Sequence, residues 1–228
     1  LVPDRYGGHF IASHIRIPSG GPVPDYVHHH AIRFQLIFCV NGWVRVVYED
    51  QGEPMLMKAG DCFLQPPHIR HRVLECSDGM EVVEIASPAE HETAVDHEMT
   101  LPTSTIDPER DFGGQRFVFS QAEGAEWRPW TQAGFEYRDT GIGAATAGVA
   151  SAHVVRAGSA AGSANLTHDG TVRFIYVLTG SAEYAGESTH SLAAGDACAI
   201  PPNEPATLRD VSADFTMLEV CDPSQTPG

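Results

Sequence analysis

An all-β chain folded as two barrels in tandem is what this sequence of 228 residues predicts. Three observations carry that reading. Helical periodicity is almost absent, and short runs rich in Val, Ile, Phe and Tyr recur between Gly, Pro, Asn and Asp. The pattern of the first half also returns in the second, and such a repeat fixes the domain count before anything else. The predicted strands are residues 10–17, 33–40, 43–48, 62–65 and 82–85 in the first half, and 153–156, 174–178, 197–200 and 215–220 in the second. Residues 117–120 and 135–138 are further strands that either open the second barrel or cover the first.

The repeat is read from three blocks in the same order. Ala12-Ser13-His14-Ile15-Arg16 answers to Ser151-Ala152-His153-Val154-Val155. The span from His30 to Gly42 answers to that from His168 to Gly180. Ala59-Gly60-Asp61 with Pro66-Pro67 answers to Ala194-Gly195-Asp196 with Pro201-Pro202, running on until Glu84 meets Glu219. Residues 1–92 are therefore expected to form one barrel and 113–228 the other. Between them, 93–112 are rich in Thr, Ser, Pro and acids and read as a surface linker.

The balance of charge narrows the partners. A formal charge of −16 repels nucleic acid phosphates and anionic lipid, so neither is expected as a partner. No run approaches the ~20 apolar residues that cross a bilayer. Five widely spaced cysteines without a CxxC pair read as reduced thiols, which points to the cytoplasm.

Chemistry concentrates in two stretches of the first half. In His28-His29-His30 the outer two side chains share one face of a strand, so both imidazoles can enter a barrel while His29 points out. Imidazole suits Zn, Cu, Fe, Ni and Mn, and two rings on one rigid strand are positioned in advance. In the second stretch a Gly60-Asp61 turn, a short strand and a Pro66-Pro67 corner lead to His71, which opens the next strand and can bring in a third imidazole. Asn41-Gly42 is a strong two-residue hairpin signal. A hairpin there sets Gln35 opposite Tyr48, so that both line one cavity. Arg33 is a candidate carboxylate anchor, and Tyr48 a candidate donor to substrate or bound oxygen. His68 is the outer candidate for a general base, while His29, His91 and His97 read as surface residues. Met55 and Met57 read as strand packing, and Cys39 as a small inward hydrophobe.

The order Gly21, His28-x-His30, Gln35, Gly42, followed by Gly60, Pro66 and His71, resembles the paired motifs of the cupin superfamily. A degenerate copy in the second half makes the whole chain resemble a bicupin. The resemblance implies jelly-roll barrels of six or more strands. It also implies one divalent transition metal (Fe, Mn, Ni, Zn or Cu) held by His28, His30 and His71, with Gln35 standing where the family usually has a ligating glutamate. A neutral amide there adds no negative charge, so the metal is expected to draw a small-molecule anion. In the second half the four positions hold Leu166, His168, Arg173 and Ala206, so no metal is expected there. The leading expectation for function is an Fe(II) dioxygenase acting on a small anionic or enolisable metabolite. A redox-neutral isomerase, lyase or decarboxylase using Mn, Zn or Ni, and a non-catalytic binding or sensing protein, are the alternatives. A homodimer formed through edge strands is plausible for such barrels.

Overall fold

The computed structural model describes residues 1–222. They fall into two compact units. The first comprises Gly7–Glu123 with Ala145–Ala147; the second comprises Leu1–Tyr6, Gly124–Ala144 and the chain from Gly148. Among the described residues, no helix is long and apolar enough to cross a membrane.

In the first unit eleven strands are described: β1 (Ile11–Ile17), β2 (Gly21–Pro22), β3 (His28–His30), β4 (Phe34–Asn41), β5 (Trp43–Tyr48), β6 (Met55–Lys58), β7 (Cys62–Leu64), β8 (His71–Cys76), β9 (Met80–Ser87), β10 (Thr93–Val95) and β11 (Val118–Ser120). They form two antiparallel sheets, in the orders β1-β9-β4-β7-β11 and β10-β3-β8-β5-β6, with β2 beside β8. Inward side chains of both sheets meet in one core that includes Cys39, Val44, Val46, Tyr48, Met57 and Phe63.

The second unit contains β12 (Arg128–Pro129), β13 (Phe135–Asp139), β14 (Ser151–Ala157), β15 (Ala164–Asn165), β16 (Arg173–Thr179), β17 (Ser181–Ala185), β18 (Thr189–Ala193), β19 (Ala197–Ile200), β20 (Thr207–Arg209) and β21 (Thr216–Cys221). Its sheets run β12-β13-β14-β21-β16-β19 and β15-β20-β17-β18. Strand for strand, β14-β21-β16-β19 repeats β1-β9-β4-β7, and β15-β20-β17-β18 repeats β3-β8-β5-β6. The protein is two tandem jelly-roll barrels related by an internal repeat, each with its own additions at a sheet edge.

Three local expectations are corrected. Asn41-Gly42 does not close a hairpin. β4 pairs with β7 and β9 while β5 pairs with β6 and β8, so the chain passes from one sheet to the other at Gly42. Gly42 takes φ +72° and a Cβ there would run into Ser77 Oγ, so glycine is required by close approach as well as by conformation. The side-chain parity read from the hairpin nevertheless survives, because two facing sheets both turn alternate residues inward.

The expected linker is no tether. β10 extends the sheet beside β3, Asp50 N donates to Thr103 Oγ1, and Arg110 pairs with both Glu49 and Asp50. β11 then pairs with β7, whereas residues 135–139 pair with β14 of the other unit. The compact unit thus continues to Glu123, because polar composition marks solvent exposure and not the absence of pairing.

The first block of the repeat is also offset by one residue. Ser13 faces Glu84 across β1 and β9, while His153 faces Glu219 across β14 and β21. The structural counterpart of His153 is therefore Ser13, and a one-residue slip on a strand exchanges the faces.

The repeated Gly-Asp turn shows what each barrel keeps. Gly60 and Gly195 both have positive φ, +92° and +95°. Asp61 Oδ2 and Asp196 Oδ2 accept from the amides of Lys58 and Ala193, and Asp61 Oδ1 additionally accepts from Ala122 N at 2.7 Å, tying in the segment after β11. Hydrogen bonds to a charged group contribute about 1.5–3 kcal/mol each. Asp61→Ala is accordingly expected to cost about 3–5 kcal/mol and Asp196→Ala about 1.5–3 kcal/mol, measured by urea unfolding followed with a probe in each barrel; equal losses would contradict the accounting.

Candidate metal centre

Three imidazoles converge inside the first barrel. His28 and His30 lie two apart on β3 and turn the same way, and the register sets His28 directly opposite His71 at the start of β8. Ring centroids are 5.2 Å apart for His28 and His30, 4.3 Å for His28 and His71, and 5.3 Å for His30 and His71. One nitrogen from each ring falls within 4.8 Å of the other two.

Hydrogen bonds outside the cluster fix which nitrogens these are. Nδ1 of His28 lies 2.9 Å from Tyr26 O, and Nδ1 of His71 lies 3.1 Å from Ile69 O. A carbonyl oxygen only accepts, so each Nδ1 carries the proton and each Nε2 keeps its lone pair. Nδ1 of His30 pairs with Thr93 Oγ1 at 2.8 Å, a contact supplied by β10. Burial holds His30 and His71 neutral: desolvation, reinforced by the neighbouring imidazole of His28, pushes His30 down to about 4 and His71 down to about 3.

The cluster borders a cavity of about 330 Å³. Gln35 on β4 also lines it and is 2% exposed. Its Nε2 donates to Glu84 Oε1 at 2.7 Å, which leaves Gln35 Oε1 as a buried acceptor without a hydrogen-bond partner. An orphaned acceptor of this kind costs about 1–3 kcal/mol unless something fills it. Three imidazole Nε2 atoms and one amide oxygen are a donor set suited to a divalent first-row metal, so the residues present fit such an ion.

Tyr48 lines the same cavity, stacks on His71 with ring centroids 5.6 Å apart and 28° between planes, and is hydrogen-bonded to Gln65. Burial raises its phenol well above the usual range, so it stays protonated. Phe63 and Phe117 pack against it at 5.0 and 4.5 Å, the latter from the segment leading into β11.

Arg33 does not reach the cavity. It precedes β4, so strand parity does not govern it. Its Nη2 donates to Ser87 Oγ and its backbone N–H bonds Ser87 O, which turns the guanidinium to the end of β9. His68 also lies outside the cavity, with positive φ and its Nδ1 3.4 Å from His29 Nδ1. Cys39 is fully buried in the core, where desolvation lifts its thiol to about 12.

Glu84, Gln65 and Thr93 went unread in the sequence as site residues. Glu84 lines the cavity and places a carboxylate behind Gln35, so the charge missing from the amide is present one residue further out. Its alternation with Val82, and its match to Glu219 in the repeat, were the available signals. Thr93 had none, since nothing local shows that β10 pairs with β3.

In the second barrel the matching positions do other work. Leu166 and Ala206 are core residues, and His168 Nε2 bonds Ile200 O. Arg173 lines a separate cavity of about 360 Å³ with Nε 3.4 Å from Glu219 Oε1, and His153 meets the other oxygen of Glu219.

Residues 13–86, spanning β1 to β9, match the family described as the cupin domain. The match falls within the first barrel. Two solved structures extend the likeness across both barrels as fold alone. A salicylate 1,2-dioxygenase from Pseudaminobacter salicylatoxidans superposes with a TM-score of 0.72 at 16% identity, covering 95% of this chain and 72% of that one. An oxalate decarboxylase from Bacillus subtilis superposes with a TM-score of 0.66 at 14% identity, covering 96% and 69%. A search of curated proteins finds no sequence match.

Removing the Tyr48 hydroxyl tests the packing around the cupin cavity. Tyr48→Phe keeps the stack on His71 but leaves Gln65 short of a partner, so a loss of about 1–2 kcal/mol is expected by thermal unfolding. No change would mean that the Gln65 contact carries no weight.

Proposed function

We propose that the first barrel binds one divalent transition metal through His28, His30, His71 and Gln35 and acts as an enzyme on a small anionic or enolisable metabolite, specifically as an Fe(II) dioxygenase. The observation that carries this reading is the buried, partnerless Oε1 of Gln35 on the cavity shared with three inward Nε2 atoms. A bound divalent metal would supply Lewis acidity and, as iron, the capacity to react with dioxygen. Four neutral protein donors would hold such an ion without cancelling its charge, so that it would attract an anionic substrate. The structural neighbours named for a dioxygenase and a decarboxylase support metabolite-scale chemistry in this fold, which itself hosts many activities.

The chain's own residues have separate tasks in this reading. Tyr26 O, Ile69 O and Thr93 Oγ1 orient the imidazoles. Glu84 holds the amide of Gln35 so that its oxygen, and not its nitrogen, faces the ligand set. Tyr48, protonated and buried, is placed to donate a hydrogen bond into the cavity. The second barrel, with Arg173 in the place of Gln35, is proposed to hold no metal.

Two measurements test the assignment. Elemental analysis should find a single metal ion per chain in the wild type and in His168→Ala, and essentially none in His28→Ala or His71→Ala; full occupancy in either of the last two refutes the ligand set. Iron-loaded protein should consume oxygen in a single turnover with a 1,3-diketone, a catechol or a 2-oxo acid, whereas turnover without oxygen would move the assignment to an isomerase, lyase or decarboxylase.

The outer contact has its own prediction. Glu84→Ala frees the Gln35 amide to rotate and should weaken metal affinity roughly 10–100-fold, while Glu84→Gln, which still offers a carbonyl oxygen to Nε2, should lose much less. Competition titration against a chromophoric chelator separates the two.

A further inference from the structure

The cavity beside the histidines has an uneven chemistry that bears on what it accepts. Beyond the three imidazoles, its wall is built from side chains such as Ile37, Val44, Val46, Met57, Val73 and Val82. Among the described residues lining it there is no Lys or Arg, and Arg33 is spent on Ser87. One lining side chain is acidic, and that is Glu84. The volume, about 330 Å³, lies at the small end of ligand cavities, which run roughly 300–1,000 Å³.

We infer that the substrate class of this site is a compact monoanion with a two-oxygen metal-binding head and an otherwise apolar body, and that dicarboxylates are disfavoured. The inference deepens the proposed function and rests on its metal reading. Its physical basis is charge matching. Four neutral donors leave a divalent ion with its full charge, and Glu84 offsets part of it from behind Gln35. One negative charge on the ligand, placed at the metal, then brings the cavity close to neutrality. A second carboxylate would find no cation, only the Tyr48 hydroxyl and the Gln65 amide in a largely aliphatic wall, and burying an unpaired charge is strongly unfavourable. Glu84 adds repulsion to that desolvation. An apolar tail instead gains from the same wall.

The test compares two ligands that share a head and differ in the tail. 4-Methyl-2-oxopentanoate and 2-oxoglutarate present the same 2-oxo carboxylate to a metal, but one ends in an isopropyl group and the other in a carboxylate. With Ni²⁺-loaded protein, whose metal content is measured first, isothermal titration should show the first binding at least tenfold more tightly. Glu84→Gln removes the charge while keeping an acceptor for Gln35, and should narrow the gap several-fold by improving 2-oxoglutarate. Equal or tighter binding of 2-oxoglutarate to the wild type, or binding of neither acid by protein that holds its metal, overturns the substrate class and leaves the metal site standing. Failure to take up Ni²⁺ overturns the metal reading and this inference with it.

Discussion

The site depends on where two protons are held. Two backbone carbonyls, Tyr26 O and Ile69 O, accept from the Nδ1 atoms of His28 and His71 and so oblige both Nε2 lone pairs to point inward. Either ring in the other tautomer would present an N–H to the cavity and close it to a cation. Both carbonyls belong to residues two before the histidine, so the constraint is local and is delivered by the bend that leads into each strand. The register of β3 with β8 then makes the two rings meet, because His28 and His71 are direct cross-strand partners.

Around that constraint the barrel packs aromatic side chains. Tyr48 lies across from His71 in the register and stacks on it, and Phe63 and Phe117 seal Tyr48 from behind. Two of the supporting contacts, Thr93 on His30 and Phe117 on Tyr48, come from chain beyond the matched cupin region, which ends at residue 86. The segment between the repeats is thus part of the site's support, and its polar sequence conceals this because Thr93 acts through its hydroxyl and not through apolar packing.

What the residues disclosed in advance, and what they withheld, divides along a physical line. Strand positions and inward parity were legible because alternation and β-propensity are local, and His28, His30, Gln35 and Tyr48 all line the cavity as their parity requires. Pairing was not. Asn41-Gly42 carries a hairpin signal, yet the same positive φ that closes a hairpin also serves a crossing between sheets, and only long-range packing against Ser77 chooses. Arg33 shares the parity of Gln35 but stands before the strand begins, where alternation has no force. Glu84 was visible as a repeat match without a role, since its partner Gln35 lies on another strand.

The two barrels solve one electrostatic problem differently. Glu84 and Glu219 occupy equivalent places, each opposite an isoleucine, Ile37 or Ile175, two residues beyond Gln35 or Arg173. In the first barrel the carboxylate meets an amide, which neutralises nothing and leaves its own oxygen as a buried acceptor without a hydrogen-bond partner. In the second it meets a guanidinium that belongs to the chain, with His153 on its other side. A fixed cation repels a mobile one, and Arg173 also donates to Leu166 O where the first barrel has the backbone of His28. One residue difference at this point therefore sets an amide against the carboxylate in one barrel and a guanidinium in the other, and that ion pair offsets the cost of burying Glu219, which is 3% exposed.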